Sequence, residues 1–184
     1  MATKLHGKSL DDEKMPERAA YECPEWAYEP LKRALGENFS DEMRAMLEPA
    51  ALDIRVNTIK AQRDDVLAQL KKEGFEAAAG SLSPVCIRLG GRPAIAQHPL
   101  YRDGMIEIQD EGSQMIAEVA AAKEGEQVID FCAGAGGKTL ALAAQMNNKG
   151  RIVATDVLGK RLEKAKLRFR RAGLHNIETR ALEG

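Results

Sequence analysis

The stretch VIDFCAGAGGKTLAL, residues 128–142, constrains the fold of this chain more than any other. A short apolar run ends in Asp130, breaks at closely spaced glycines and restarts as an alanine-rich segment. Glycine has no Cβ, so its backbone can turn sharply and lie directly against a ligand. The order of apolar run, glycine turn and alanine-rich segment therefore predicts a strand, a ligand-binding loop and a helix.

Strand and helix patterns alternate from this point to the end of the sequence. Parallel neighbours in a sheet need a crossover helix, so the alternation predicts a Rossmann-like, doubly wound α/β sheet over 109–184. Ligands of such sheets bind at the carboxyl ends of the strands. Because only three strand patterns occur, we expect this domain to be incomplete within the 184 residues. The predicted segments are strands at 127–130, 151–155 and 176–181, and helices at 111–122, 138–147 and 159–172.

The preceding sequence predicts a small α/β domain over 21–108, after a flexible leader at 1–20. In LDIRVNTI, apolar and polar residues alternate as they do in a half-buried strand. Two short helices come first, separated near Gly36, and we expect Ser40-Asp41 to cap the second helix. The mixture of strands with one further helix is similar to small RNA-binding folds. The predicted segments are helices within 24–48 and at 64–72, and strands at 52–59, 85–89 and 105–109.

Charge is distributed unevenly along the chain. Residues 1–120 carry 15 Lys and Arg against 21 Asp and Glu, whereas residues 121–184 carry 12 against 7. Much of the second excess lies in KRLEKAKLRFRRAG, residues 160–173. A basic segment beside a cofactor loop favours an anionic substrate, with nucleic acid as the obvious candidate. The same cations are also typical of the solvated face of a helix whose apolar side carries Leu162, Ala165, Phe169 and Ala172.

The composition excludes several classes of protein. The chain is 44% hydrophobic and 30% charged, which is typical of a globular protein. No apolar stretch reaches the roughly 20 residues of a membrane span, and the start lacks the apolar centre of a secretory signal, so we expect a cytoplasmic protein. Cys23, Cys86 and Cys132 are far apart and the three histidines stand alone, so the sequence predicts reduced thiols and no metal site.

The glycine loop by itself is compatible with several cofactors. Residues 132–139 read CAGAGGKT, and the final GKT fits a phosphate-binding P-loop, although Cys132 replaces its opening glycine. Gly134 and Gly136 fit the first two positions of a dinucleotide fingerprint, but Thr139 occupies the third. The loop therefore leaves a nucleoside triphosphate, a dinucleotide and another adenosine cofactor as alternatives.

Two acids are placed to assist such a loop. Asp156 ends the next predicted strand, where an acid binds the ribose hydroxyls of NAD and of S-adenosylmethionine (SAM) alike. It is also placed to act as a helix N-cap ahead of Leu158. Asp130 is expected to orient the loop, to approach the ammonium group of a cofactor, or to serve a purely structural purpose.

Four segments, taken in order, resemble the RsmB/Sun family of SAM-dependent RNA (cytosine-5) methyltransferases. They are ALDIRVN, MIEIQDEGSQ, VIDFCAGAGGKT, and IVATD followed by KRL, and the resemblance extends from about Tyr21 to Gly184. The most specific piece, DFCAGAGGKT, is similar to the family's D-x-C-A-A-P-G-G-K-T. Gly134 replaces the second alanine and Ala135 replaces the proline, which removes a rigid residue from the turn.

This resemblance implies SAM as the cofactor and RNA, ribosomal RNA in particular, as the substrate. It also implies an RNA contact for Arg55, for which an ion pair at a strand edge is the structural alternative. Gln109, Asp110 and Ser113 are expected to join the leading domain to the sheet and to support the cofactor site. The residues that would line the cofactor are Cys132, Ala133, Gly134, Ala135, Gly136, Gly137, Lys138, Asp156 and, at the adenine end, Glu183.

Methylation of cytosine C5 needs a nucleophile, because C5 becomes reactive only after a thiolate has added to C6. The family uses two cysteines, in P-C and T-C motifs, and neither motif occurs in this sequence. We therefore expect no catalytic residue in this chain, which would be a truncated, inactive piece that binds SAM weakly or not at all. Cys132, beside a helix N-terminus, is the alternative nucleophile. The alternative functions are a non-catalytic RNA-binding module and an NTPase or NAD-binding protein.

Overall fold

The computed structural model describes residues 15–182, which divide between Ala50 and Ala51 into two compact units. The leader predicted at 1–20 lies outside the described residues as far as residue 14, and so does Glu183, the predicted adenine contact. Within the part of the chain that is described, no helix is long and apolar enough to cross a lipid bilayer.

The first unit is a small helical cluster. Its helices are α1 Glu17–Ala20, α2 Glu25–Leu35 and α3 Phe39–Leu47, with a 3₁₀ turn at Gly36–Asn38. The two helices predicted within 24–48 are confirmed. The predicted cap at Ser40-Asp41 is wrong, because α3 continues directly from the 3₁₀ turn and both residues lie inside its first turn. Phe39 centres the core, and Tyr21 and Tyr28 lie edge-on to its ring, with centroids 5.6 and 5.4 Å away.

The second unit contains an antiparallel sheet followed by a parallel sheet. Its strands are β1 Leu52–Val56, β2 Ala77–Ala79, β3 Cys86–Leu89, β4 Ile106–Ile108, β5 Gln127–Asp130, β6 Arg151–Asp156 and β7 Ile177–Ala181. Its helices are α4 Arg63–Lys72, α5 Pro99–Arg102, α6 Glu111–Ala120, α7 Gly137–Gln145 and α8 Gly159–Ala172, with a 3₁₀ turn at Ile95–Gln97. The domain boundary predicted between 108 and 109 falls inside this unit, directly after β4.

The antiparallel sheet has the strand order β2-β3-β1-β4. β1 lies in its interior, with Ile54 opposite Ile87 on β3 and Ile108 on β4. Val66 and Leu70 of α4 join Ile54 and Ile87 in one buried cluster. The predictions of β1, β3, β4 and α4 are confirmed, but β2 was missed, because its three alanines give no alternation of apolar and polar residues.

The parallel sheet has the strand order β5-β6-β7. The predicted strands and the helices α6, α7 and α8 are confirmed to within two residues at each end. Small residues such as Ala141 and Ala143 fill the core under α7 and let the helix approach the sheet closely. Asp130 at the end of β5 pairs with Ala154 of β6. The carboxyl ends of β5 and β6 therefore lie side by side, where the sequence predicts a ligand site.

The antiparallel sheet carries a polar network beside the start of α6. Asp53 on β1 accepts two hydrogen bonds from Arg88 on β3, at 2.8 and 3.0 Å, and Arg88 also pairs with Glu111 at 3.3 Å. Glu111 accepts the main-chain N–H groups of residues 82 and 83. The Arg88 guanidinium lowers the pKa of Asp53, and the two N–H donors lower the pKa of Glu111. Both carboxylates are thus held in their ionised forms.

Replacement of Asp53 by asparagine is expected to lower the free energy of unfolding at pH 7 by about 2 kcal/mol, since hydrogen bonds to a half-exposed arginine are lost. The native pKa of Asp53 is lower than its unfolded value, so its stabilisation is complete above about pH 4 and disappears as the pH falls through the native pKa. Urea unfolding followed by circular dichroism at neutral and acid pH measures both effects. Asp65→Asn, exposed on α4, is the control, and equal losses in the two variants would contradict the prediction.

Candidate functional site

The glycine loop leaves the parallel sheet at the end of β5 and enters α7. Ala133 donates its N–H to the carbonyl of Thr155 at 2.8 Å, and Thr155 Oγ1 donates to the carbonyl of Phe131 at 2.5 Å. The N–H of Gly136 donates to the carbonyl of Ala133 at 2.8 Å, which closes a tight turn. The protein's own hydrogen bonds therefore fix this loop to the end of β6.

Two glycines determine the shape of the loop. Gly134 and Gly136 have φ values of +56° and +79°, which side chains with a Cβ rarely adopt. A Cβ on Gly136 would lie 2.5 Å from the ring of Phe169 on α8, so the loop also packs closely on this helix. A Cβ on Gly134 would meet only Asp156, at 3.9 Å, within 4 Å. Gly136 is therefore required by both conformation and packing, and Gly134 by conformation alone.

Asp156 lies at the carboxyl end of β6 and is 7% exposed. Its Oδ2 accepts the N–H of Gly134 and its Oδ1 accepts the N–H of Leu158, both at 2.8 Å. Leu158 is the N-cap residue of α8, so Asp156 fixes the entry to this helix without being the cap itself. An ionised carboxylate offers about four lone-pair positions, so Asp156 has capacity for further donors such as the hydroxyls of a ribose.

The predicted cofactor residues 132–138 form one continuous segment between β5 and the first turn of α7. The N–H groups of that first turn have no acceptor within the helix and can bind an anion. Acceptor oxygens of Asp156 and donor groups of α7 thus border the same loop. Cys132 and Ala135 are exposed, Gly134, Gly137 and Lys138 are half-buried, and Ala133 and Gly136 are buried.

Thr139 and Asp130 distinguish this loop from a P-loop. The Oγ1 of Thr139 donates to Asp130 Oδ2 at 2.6 Å, and Thr139 is fully buried. In a P-loop the corresponding hydroxyl faces Mg²⁺ at the phosphates. Here Asp130 ties the start of α7 to the end of β5, so of its three predicted purposes the orientation of the loop is the one that this contact supports.

Gln109 connects the antiparallel sheet with the region of the glycine loop. Its Oε1 accepts a hydrogen bond from Arg55 Nε at 2.7 Å, and its Nε2 donates to Ser113 Oγ at 3.4 Å. The same Nε2 would lie 3.6 Å from a Cβ placed on Gly137. Asp110 caps α6 by accepting the N–H of Ser113 at 3.1 Å. These residues therefore occupy the junction between the two sheets where the sequence analysis expects them.

Arg55 has a different environment from either alternative predicted for it. β1 is an interior strand, Arg55 is 3% exposed, and its Nε is bound to Gln109. Burial lowers the pKa of the guanidinium to about 10, although Glu107 opposes the shift. The side chain is therefore inaccessible to RNA here, and it does not lie at a strand edge. The sequence could not predict this burial, because the alternating pattern of β1 does not show that another layer covers the polar face of the strand.

The three cysteines have different environments. Cys23 and Cys86 are buried, whereas Cys132 is exposed at the start of the glycine loop. Burial raises the pKa of the Cys86 thiol to about 12, which removes it as a nucleophile at neutral pH. Its Sγ lies within 4.8 Å of ligand atoms of Asp53 and Glu111. Arg88 already supplies the positive charge that balances these carboxylates.

Some cations of the basic helix α8 form ion pairs within the protein, and the others are exposed to solvent. Arg168 and Arg171 point inward to the buried carboxylate of Glu107, and Lys166 pairs with Glu163 at 2.7 Å. The exposed cations of the helix are Lys160, Arg161, Lys164 and Arg170. The charge excess read from the sequence is therefore partly structural and partly a positive surface.

Arg168 contacts the glycine loop and is held by Glu107, and no sequence pattern predicts either contact. Arg168 Nη2 donates to Glu107 Oε2 at 2.9 Å, and Arg168 Nη1 donates to the carbonyl of Ala135 at 2.6 Å. The two side chains are 61 residues apart in the sequence. Glu107 lies in the segment MIEIQDEGSQ, which carries part of the resemblance, but no local pattern pairs it with Arg168. The only signal in the sequence is an acid between the two isoleucines of β4.

Two family models match this chain. The model described as Methyltr_RsmF/B-like, ferredoxin-like domain matches residues 23–96, and the model described as 16S rRNA methyltransferase RsmB/F matches residues 117–183. The chain belongs to the RsmB/Sun family. In this RsmB/Sun protein the second match contains the glycine loop and Asp156. The predicted resemblance is thereby confirmed, and so is the α/β fold class with a small α/β domain ahead of a methyltransferase sheet. The first model describes that small domain as ferredoxin-like.

Named relatives agree with this assignment. A probable ribosomal RNA small subunit methyltransferase B of Synechocystis sp. is 32% identical over 171 residues, which cover 92% of this chain and 38% of the relative. The 28S rRNA (cytosine-C(5))-methyltransferase of Mus musculus is 32% identical over 143 residues, which cover 68% of this chain and 31% of the relative. This RsmB/Sun chain thus spans less than two fifths of the length of these curated relatives.

Solved structures show the same fold. A methyltransferase homolog protein from Pyrococcus horikoshii aligns with a TM-score of 0.81 at 30% identity, over 89% of this chain and 54% of that chain. NSun6 from the same organism, whose structure was determined with SFG, aligns with a TM-score of 0.80 at 20% identity, over 87% of this chain and 65% of that chain.

Proposed function

We propose that this chain carries the cofactor-binding part of a SAM-dependent methyltransferase that acts on C5 of cytosine in ribosomal RNA. The proposal depends most on one observation: the glycine loop and Asp156 meet at the adjacent carboxyl ends of β5 and β6, in a member of the RsmB/Sun family. The names of the relatives as rRNA methyltransferases support the substrate. The SAM analogue SFG in the NSun6 structure supports the cofactor.

The groups that border the loop are complementary to the two ends of SAM. The amino-acid end of SAM carries a carboxylate, and the first-turn N–H groups of α7 are suited to bind an anion. The adenosine end carries a ribose diol, and Asp156 retains acceptor positions beyond those used by Gly134 and Leu158. Both sets of groups come from main chain or from a buried side chain, so little ordering is needed when the ligand binds.

When bound, SAM would supply an activated methyl group on its sulfonium centre. The chain's own residues hold this centre in place: the loop offers its backbone, and Asp156 orients the sugar. Asp130 and Thr139 keep the loop joined to the start of α7. The loop thus acts as a preorganised cradle, whose main contribution to rate is to position the reacting atoms.

The nucleophile for C6 is a separate requirement. Cys86 is buried with a raised pKa, and Cys23 is buried in the helical unit, so neither can attack a base. Cys132 is exposed, but it begins the loop that is proposed to hold the cofactor. A thiol that lines the cofactor is poorly placed to attack C6 of the cytosine. We therefore propose that this chain supplies the cofactor site and not the attacking thiolate.

A titration followed by amide NMR tests the cofactor proposal, since it detects dissociation constants as weak as the millimolar range. SAM is expected to shift the resonances of Gly134, Gly136 and Gly137, while ATP with magnesium and NAD are expected to leave them unchanged. The distant pair Ile54 and Ile87 in the antiparallel sheet serves as the internal control. Saturable shifts of the loop by ATP with magnesium, and none by SAM, would refute the assignment.

RNA binding by the exposed cations of α8 is expected to depend on individual phosphate contacts. Lys164→Gln should weaken binding of an rRNA fragment and reduce the slope of log affinity against log salt concentration by about 1, because one counterion fewer is released. Lys166→Gln is the matched control on the same helix, since Lys166 already neutralises Glu163. Fluorescence anisotropy at several salt concentrations measures both. Equal slopes for Lys164→Gln and the unchanged chain would contradict the prediction.

A further inference from the structure

The guanidinium of Arg168 connects the antiparallel sheet to the glycine loop. Arg168 lies on α8, and its two terminal nitrogens donate to different partners: Glu107 of β4 at 2.9 Å and the carbonyl of Ala135 at 2.6 Å. The Glu107 side chain is 1% exposed and that of Arg168 is 23% exposed. The arginine of a charge-assisted pair that is largely shielded from water thus directs its second donor to a main-chain carbonyl of the loop.

Glu107 holds this guanidinium in one orientation. Its second carboxylate oxygen pairs with Arg171, whose guanidinium lies 4.0 Å from the ring centroid of Tyr101. Each oxygen of Glu107 is therefore taken by a different arginine of α8, one turn apart. Because the rigid fork of arginine fixes the directions of its donors, the bond to Glu107 also fixes the donor that reaches Ala135.

Residues next to β1 and β4 of the antiparallel sheet fix the end of α8. Lys60 Nζ donates to the carbonyl of Arg171 at 2.7 Å, and Asn57 Nδ2 donates to the carbonyl of Ala172 at 2.8 Å. These are carbonyls that the end of a helix leaves without a partner. A Cβ on Gly104 would lie 2.2 Å from the carbonyl oxygen of Arg171, so the backbones approach closely at this point. The antiparallel sheet therefore sets the position of α8 along its axis.

We infer that Glu107 and Arg168 are positioning residues that hold Ala135, and with it the glycine loop, in the conformation that binds a ligand. Gly136 rests against Phe169 of the same helix, so α8 supports the loop through packing as well as through the hydrogen bond. Ala135 stands where the related motif has proline, and the bond from Arg168 restrains a turn that lacks the proline ring. The docking of the antiparallel sheet and the occupancy of the loop are consequently coupled through α8.

Hydrogen exchange of the whole chain tests this inference without any ligand. In Arg168→Gln, the amides of Gly134 and Gly136 are expected to exchange at least about tenfold faster than in the unchanged protein, whereas those of Ile54 and Ile87 keep their protection. Arg170→Gln, exposed on the same helix, is the matched control and should leave the loop unchanged. Arg168→Lys should show a smaller effect, because an ammonium on a flexible chain keeps one partner more readily than two. Glu107→Gln should accelerate the same two amides.

A second measurement rests on the proposed function. The dissociation constant of SAM, measured by the NMR titration, should rise about fivefold to tenfold in Arg168→Gln and recover in part in Arg168→Lys. Loop exchange in Arg168→Gln equal to that of the control would overturn the inference, and so would uniform acceleration throughout residues 51–182, which would indicate a general structural loss. If Arg168→Gln does not fold, Arg168→Lys and Glu107→Gln decide the same question. Selective acceleration of the loop in Arg168→Gln, together with saturable loop shifts by ATP with magnesium and none by SAM, would support the inference and refute the proposed cofactor.

Discussion

Gly136→Ala is expected to destabilise the second unit by about 3 kcal/mol. Alanine would have to adopt the positive φ of this position, and its methyl group would lie 2.5 Å from the ring of Phe169 and 3.1 Å from the Cβ of Ala165. The conformational cost is about 1 kcal/mol, and overpacking adds about 1–3 kcal/mol. Urea unfolding followed by circular dichroism measures the loss. Tryptophan fluorescence is unsuitable, because the single tryptophan, Trp26, lies in the first unit.

Two further variants separate the causes of this loss. Gly125 has a φ of +86° and nothing within 4 Å of its Cβ position, so Gly125→Ala should show the conformational cost alone. Combining Gly136→Ala with Phe169→Leu removes ring atoms from the clash and should recover more than 1 kcal/mol relative to the sum of the two single changes. Equal losses for Gly136→Ala and Gly125→Ala would show that the loop does not pack on α8 as the structure describes.

Asp156→Ala is expected to weaken SAM binding by about tenfold to a hundredfold. The change removes a carboxylate that accepts the N–H groups of Gly134 and Leu158 and that would accept the ribose hydroxyls, and hydrogen bonds to a charged group contribute about 1.5–3 kcal/mol. The SAM affinity of Asp156→Asn should lie between those of the unchanged protein and Asp156→Ala. The amide oxygen of asparagine can still accept one N–H, while its NH₂ group opposes the other N–H. The amide NMR titration measures all three dissociation constants.

The asparagine variant also separates binding from folding. Its Leu158 bond can persist, because asparagine forms the same local turn as aspartate. The start of α8 should therefore stay protected from hydrogen exchange while the loop amide of Gly134 becomes more accessible. Unchanged affinity for SAM in a folded Asp156→Asn protein would restrict Asp156 to a structural purpose and remove it from the proposed cofactor site.

Much of the secondary structure was predictable, because its determinants are local. α8 lies at its predicted bounds because the 3.6-residue repeat of apolar side chains follows directly from helix geometry. β5 also lies at its predicted bounds, because a short apolar run ends in an acid directly before the glycine turn. The glycine loop was predictable for a similar reason, because positive φ values and close packing select glycine at particular positions. The short strand β2 was missed because its three alanines pair with β3 without any pattern of their own.

Contacts between distant segments were not predictable in the same way. Arg55 reads as an exposed polar residue of an alternating strand, yet it is buried against Gln109, 54 residues later. The basic run on α8 reads as one positive surface, yet two of its arginines face Glu107. In each case the partner lies on another element, and the repeat within a single strand or helix carries no information about which polar face a neighbour will cover.

The amino-acid sequence by itself determined the alternation of strands and helices, the position of the glycine turn, the acid at the end of β6 and the family to which these segments are similar. These features depend on backbone conformation and on repeats within a few residues. Only the tertiary structure decided that Asp156 holds the loop through Gly134, that Thr139 is engaged by Asp130, and that Glu107 reaches the loop through Arg168. Such bonds exist only after distant strands and helices have packed and excluded water, since burial is what makes each polar group require its particular partner.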